Sequence, residues 1–74
     1  MKESDLSTKI GEAIRHRREK RKMSQEAFAD SIHMHRAYYG ALERGGKNLT
    51  TRTLKRVSDG LGLKMWELLK DEDL

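Results

Sequence analysis

The sequence contains no cysteine and no proline. Neither a disulfide nor a thiolate metal site can staple it, and no proline stiffens its turns. No apolar run approaches the roughly 20 residues of a membrane span. The first residues lack the apolar core of a signal peptide, which leaves the cytoplasm as the expected location. Strand signals are also missing, because β-branched residues are scattered and never alternate with polar ones. There is no glycine-rich phosphate loop, no Ser/His/Asp arrangement and no paired carboxylate constellation, so catalysis is not expected. His16, His33 and His35 are the metal candidates, and they lack the further well-placed ligands that a structural zinc requires. No cofactor and no small-molecule ligand is expected.

What remains is 74 residues, enough for one small domain with one core. A small domain without staples can gain stability by oligomerising. Charged residues make up 38% of the chain and the formal net charge is +4, compatible with an anionic partner. The charge is unevenly placed. Residues 15–22, RHRREKRK, hold six basic residues and one acid, and residues 44–56, RGGKNLTTRTLKR, hold five basic residues and no acid. Residues 59–74 carry five acids against two lysines. The run at 15–22 is expected to be mostly a solvated helix face.

Apolar residues recur at helical spacing. A first helix is expected from Thr8 to Lys20, capped by Ser7 or Thr8, with Ile10, Ala13 and Ile14 inward and Gly11 weakening its first turns. The next four helix starts share a pattern in which an apolar residue precedes the cap and another follows five positions on. Met23 and Phe28 flank Ser24, Met34 and Tyr39 flank His35, Leu49 and Leu54 flank Thr50, and Leu63 and Leu68 flank Lys64. These are hydrophobic staples. They predict helices near 25–32, 36–44, 51–61 and 65–70, with Ser24 and Thr50 as good caps and His35 and Lys64 as poor ones. Gly45 and Gly62 follow helices, where a left-handed residue is wanted. The expected core is Ile10, Ala13, Ile14, Phe28, Ile32, Tyr39, Leu42, Leu54, Val57, Leu61, Met65 and Leu68.

One position breaks this pattern. Ile10 and Ile14 call for an apolar residue at 17 or 18, and both are arginine. A partly buried arginine needs a carboxylate, and Glu43, on the Tyr39/Leu42 side of its helix, can supply one. The competing reading has Arg18 reaching out to water.

Between Ser24 and Gly45 lie two short helices joined by SIHM, the helix-turn-helix pattern, whose second helix projects into the major groove of DNA. With Tyr39 and Leu42 inward, Arg36, Ala37, Gly40 and Ala41 face outward. That face is small-sided enough for close approach to a groove floor. Arg36 suits guanine O6 and N7, and Ala37 and Ala41 suit thymine methyls. Tyr38 has three readings: contact with the DNA, as part of the base-reading set or on a phosphate or sugar, or partial burial. Gln25, at the start of its helix, is placed for a phosphate.

Residues 10–69 resemble the Xre family of helix-turn-helix regulators and are similar to lambda-type phage repressors. The elements that carry the resemblance are MSQEAFAD, HRAYYGALERGGKN and LKRVSDGLGLKMWELL. Within the family, HRAYYGALERGGKNLT most resembles the controller proteins of restriction–modification systems, which usually read something like Asp-Arg-Thr-Tyr-Ile-Ser-Gly-Ile-Glu-Arg. The resemblance implies an all-α, five-helix, lambda-repressor-like DNA-binding domain over residues 1–74, with its helix-turn-helix core at 24–45. It implies base reading by Arg36, Ala37 and Ala41, and Tyr38 is a further base-reading candidate. Backbone contacts fall to Gln25, Lys47, Asn48 and Arg52, with Arg44 a further candidate, and Arg18 and Glu43 match a structural ion pair. His35 departs from the usual serine or aspartate cap, Tyr39 from isoleucine, and Ala37 from a polar residue, which bears on the target sequence.

The tail LGLKMWELL is short and apolar. Met65 and Leu68 suffice to bury it, which leaves Trp66 and Leu69 partly outward. Family members usually dimerise through this end, so residues 61–70, with Met65, Trp66 and Leu69, are the expected interface of a homodimer on double-stranded DNA. The expected function is a transcriptional regulator on a pseudo-palindromic operator, as a controller protein or a short phage-type repressor. The other reading is an antitoxin, whose Trp66 end binds a toxin while the same helix-turn-helix represses the shared operon.

Overall fold

Helix starts in this chain are set by caps, and the four inner ones fall where the staple pattern puts them. The computed structural model describes residues 3–46 and 49–70, with side chains from Leu6 onward. Its elements are α1 (Glu3–Lys20), α2 (Gln25–Ser31), α3 (Arg36–Arg44), α4 (Thr51–Gly60) and α5 (Met65–Lys70). Among the described residues there is no strand.

Ser24 Oγ accepts the Ala27 N–H at 3.0 Å and Thr50 Oγ1 accepts the Thr53 N–H at 3.1 Å. His35, a poor cap by residue type, nevertheless caps α3, because its Nδ1 accepts the Ala37 N–H at 3.2 Å. Lys64 has no acceptor to offer. Its own N–H is taken instead by the Glu67 carboxylate at 2.9 Å, which is half of a capping box.

The start of α1 corrects the sequence reading. The helix begins at Glu3, and Ser7 and Thr8 lie inside it rather than capping it. No glycine or proline interrupts residues 3–7. Thr8 is also backed by the end of α3, since a Cβ built on Gly45 would lie 2.9 Å from the Thr8 Cα.

Gly45 and Gly62 are left-handed as expected, at φ 76° and 74°. Two further left-handed residues, Lys22 and His33, were not evident from sequence. At His33 the turn is held from both sides: the Met34 N–H returns to Ala29 O at 2.9 Å, and Arg56 of α4 donates to Ile32 O and His33 O at 2.9 and 2.7 Å.

The core contains Ala13, Ile14, Phe28, Ile32, Tyr39, Leu42, Val57, Leu61 and Leu68 as expected, and also Ala29 and Met34. Ile10, Leu54 and Met65, expected inside, are only half-buried. Ile10 and Leu54 join the staple residues Met23, Leu49 and Leu63 packed on the outside of the core. Phe28 and Tyr39 meet with ring centroids 5.2 Å apart and tilted, joining α2 to α3.

Gly11 has a second role beside its low helix propensity. A Cβ there would sit 2.3 Å from Glu43 O and 2.6 Å from Leu42 O, so α1 crosses the end of α3 backbone against backbone. Gly60 makes room for side chains instead, since a Cβ there would lie 2.3 Å from Ile32 Cγ2 and 3.2 Å from Phe28 Cζ.

The expected ion pair is present and is the centre of a larger network. Arg18 and Glu43 are 8% and 6% exposed. Arg18 donates Nε–H to Glu43 Oε2 at 2.7 Å and Nη2–H to Oε1 at 3.1 Å, a bidentate fork, and its Nη1 reaches Met23 O at 2.7 Å. Gln25 Nε2 donates to Glu43 Oε1 at 2.8 Å, and the Tyr39 hydroxyl donates to Oε2. Burial alone would push the Glu43 carboxyl up. The hydrogen bonds from Arg18, Tyr39 and Gln25 outweigh it and hold the group below the ordinary carboxylate range. Burial, reinforced by donation to Glu43, pushes the Tyr39 hydroxyl up. The bond to Glu43 raises Arg18 despite burial.

Two predictions follow from this packing. Gly11→Ala forces α1 off α3 and is expected to cost about 2 kcal/mol or more, as overpacking a rigid contact does; a urea midpoint equal to wild type would refute the backbone contact. Glu43→Gln leaves Arg18 with only the exposed Glu19 carboxylate, 4.0 Å away, and is expected to cost about 2 kcal/mol or more near neutral pH. Glu43 has a lowered folded pKa, so its contribution is complete above the unfolded value of about 4.3 and is lost as pH falls through the lower folded value. Urea unfolding across pH should therefore show a constant gap between wild type and variant above about pH 5, shrinking in stronger acid.

Candidate nucleic-acid interface

The surface that α3 offers is shorter than its sequence suggests. Arg36 is exposed, with 60% of its side chain open to solvent, and Ala37 beside it is exposed as well. Tyr38 is half-buried and packs against the core. Ala41, expected outward, is only 8% exposed. The chain turns back at this point, with the Gly46 N–H donating to Ala41 O at 2.8 Å. Gly40 is buried too, because Arg44 and Gln25 lie over it: a Cβ there would be 3.3 Å from Arg44 Nη1 and 3.5 Å from Gln25 Oε1. The open part of α3 is therefore its first turn, and its second turn is roofed by an arginine and a glutamine.

That roof is built from the fold upward. Gln25 is the first residue of α2 and remains exposed, but its amide nitrogen is fixed on Glu43. Its carbonyl oxygen then faces the Gly40 position, where the missing side chain leaves room. Arg44 and Arg52 are both exposed, on the last turn of α3 and the first turn of α4. Of the expected backbone-contact set, Gln25 and Arg44 thus converge on α3, and Arg52 lies on the adjoining helix start. Lys47 and Asn48 lie outside the described residues.

Three contacts around this surface had no signal in the sequence pattern. Arg56 ties α4 to the turn between α2 and α3, as described above. Arg21, in the run expected to be mostly solvated, donates to Gly60 O at 2.8 Å and caps the end of α4. Glu26 and Asp30, one turn apart on α2, flank Arg36: Nη1 is 3.3 Å from Glu26 Oε2 and Nη2 is 3.7 Å from Asp30 Oδ2. All three side chains of that group are more than half exposed. The spacing of 26 and 30 on one helix face is readable from sequence. Its proximity to residue 36 depends on how the turn folds.

The end of the chain away from the turn carries the other open feature. Trp66 is 60% exposed, with Lys70 Nζ 5.9 Å from its ring centroid. Met65 and Leu69 are half-buried, while Leu68 is fully inside. α5 itself packs against α1 and α4. Among the described residues, no group of three histidine, cysteine or acidic side chains is placed to hold a metal ion, and no helix is long and apolar enough to cross a membrane.

Comparison with known proteins agrees with this geometry. Residues 14–68 match the helix-turn-helix family model. The control protein C.MunI of Mycoplasma sp is 36% identical over 69 residues, which is 92% of this chain and 93% of that protein. The control protein C.BamHI of Bacillus amyloliquefaciens is 35% identical over 61 residues, 81% of this chain and 75% of that protein. Among solved structures, the restriction-modification controller protein C.AhdI from Aeromonas hydrophila superposes with a TM-score of 0.82 at 28% identity, covering 86% of this chain and 97% of that one. Two short helices joined by a tight turn and tied together at a buried carboxylate, in a chain matched along most of its length, lead to one conclusion: this protein is a DNA-binding regulator and belongs to the helix-turn-helix family.

Proposed function

We propose that the chain is a controller-type transcriptional regulator, active as a homodimer on a pseudo-palindromic operator in the cytoplasm. It acts by occupying DNA and not by catalysing a reaction. The observation that supports this most is the first turn of α3, where Arg36 and Ala37 are both open while residues 39–43 of the helix are buried. A guanidinium beside a small apolar side chain suits a guanine next to a thymine methyl. Phosphate contacts are assigned to Gln25, Arg44 and Arg52, which are exposed, Lys47 and Asn48 extend that set by sequence position, and Tyr38 and Ala41 complete the base-reading set. The similarity to control proteins and restriction-modification controller proteins supports the controller assignment.

Selection from a random duplex pool tests the reading. The expected winner has two-fold symmetry with half-sites one helical turn apart, about 34 Å. Its affinity should fall with salt along a slope that counts the phosphate contacts. Arg36→Ala should weaken binding to the winner by about 1–3 kcal/mol and relax the preference at one base pair in each half-site. Equal binding to every sequence would refute base reading by α3.

The dimer rests on Met65, Trp66 and Leu69. Trp66→Ala alters a largely exposed side chain, so the fold should survive. Truncating a central interface tryptophan commonly costs about 2 kcal/mol or more, so sedimentation should shift toward monomer and operator affinity should drop. A variant still dimeric at wild-type concentrations would move the interface elsewhere. A wild-type monomer that dimerises only with a neighbouring gene product would favour the antitoxin reading.

A further inference from the structure

We infer that Glu26 and Asp30 are positioning residues for base selection, which hold Arg36 for a guanine edge and penalise its use as a general phosphate contact. The inference rests on the base-reading role proposed for α3. Its geometric basis is the contact of Arg36 with both carboxylates, at 3.3 and 3.7 Å, across the turn between α2 and α3.

The charge count at this tip is unusual for a surface that meets a polyanion. One guanidinium carries +1, and the two carboxylates within 4 Å of it carry −2. If Arg36 served as an ordinary phosphate contact, it would bring two like charges up against that phosphate. Such a juxtaposition opposes binding wherever the backbone is the only thing contacted. A guanine edge is different, because O6 and N7 are neutral acceptors. Arginine has five N–H donors in a planar fork, so it can give two to guanine while others remain on a carboxylate. The carboxylates then act as supporting partners that fix the plane of the guanidinium.

The same three residues bias the rotamers of a long, exposed arginine, because the two ion pairs favour one placement of its guanidinium. Glu26 and Asp30 are four apart on α2 and so lie on one helix face. Their spacing places one acceptor at each terminal nitrogen of Arg36. The remaining exposed cations of the reading surface, Arg44 and Arg52, carry no such acidic pair among the described residues. General backbone attraction can reside with those residues, which leaves discrimination to Arg36.

The test compares wild type with a Glu26→Gln/Asp30→Asn double variant. Binding is measured on the duplex that wild type selects from a random pool and on a scrambled duplex of equal length and composition. Both side chains are more than half exposed, so thermal unfolding should be unchanged. The double variant is expected to bind the scrambled duplex more tightly. Its ratio of selected to scrambled affinity should fall by about fivefold or more, the lower end of what one bidentate arginine–guanine contact provides. The same pair of substitutions in an Arg36→Ala background should raise both affinities alike and leave the ratio unmoved, because the partner being positioned is gone. A wild-type ratio retained by the double variant, with both affinities raised equally, would overturn the inference while leaving the base-reading proposal standing. A wild type with no preference between the duplexes would overturn both.

Discussion

The fold turns on one buried carboxylate. Glu43 receives Arg18 from α1, Gln25 from α2 and the Tyr39 hydroxyl from its own helix, so three helices meet at two oxygen atoms. Taking a carboxylate and a guanidinium out of water costs several kcal/mol per ion, and the mutual attraction offsets this only when geometry is good and remaining donors are satisfied. Both conditions hold. The fork is bidentate, the third guanidinium nitrogen is on Met23 O, and no buried side-chain nitrogen or oxygen among the described residues lacks a partner. A purely apolar core of the same volume would stabilise the helices as well or better. It would fix their angles less closely, because apolar contact is less directional than a bidentate fork. The network therefore contributes orientation more than net free energy, and orientation is what a helix needs if its first turn is to meet base edges.

Orientation passes outward from Glu43 through Gln25. The glutamine is exposed, yet its amide is held from below, and its oxygen lies over Gly40, 3.5 Å from where a Cβ would stand. This pins the start of α2 to the second turn of α3. The other end of α2 is pinned by Arg56, which spends two nitrogens on the carbonyls of Ile32 and His33. The turn between α2 and α3 is thus held by Arg56 and by the Met34 N–H on Ala29 O, and a non-glycine residue can sit there at a positive φ. Arg36, the first residue past that turn's cap, inherits its position from these contacts.

Much of this was legible in the sequence, and the reasons differ by feature. The inner helix boundaries were legible because a staple combines a cap and two apolar residues at fixed spacing, a signal that does not depend on tertiary context. The Arg18–Glu43 pair was legible as a violation, since charge at an apolar position demands a partner and few carboxylates were on the right face. The start of α1 was misread because Ser7 and Thr8 suit caps by type, whereas the helix continues wherever packing supports it and nothing breaks it. Ala41 was misread because helical periodicity assigns a face to a residue without knowing where the chain turns back. The contacts of Arg21 and Arg56 with backbone carbonyls leave no pattern at all, because a carbonyl is present at every position. Glu26, Asp30 and Arg36 are adjacent only once the turn has folded.

The two open ends of the molecule are joined through α1, and also through α4, which packs on α5 and holds the α2–α3 turn by Arg56. α1 packs on α3 through Gly11 and Arg18, and on α5 through its other contacts. Gly11 sets how closely α1 and α3 approach, because backbone meets backbone there with no side chain to adjust. Arg18 sets the rotation, because a bidentate fork tolerates little turning about the helix axis. With distance and rotation both fixed, the position of Trp66 relative to Arg36 follows from the fold and not from a flexible connection. If two copies meet through α5, the separation of their reading helices is then a property of each protomer's interior. A change in the core at Gly11 or Glu43 would alter spacing on DNA without touching either the DNA or the partner.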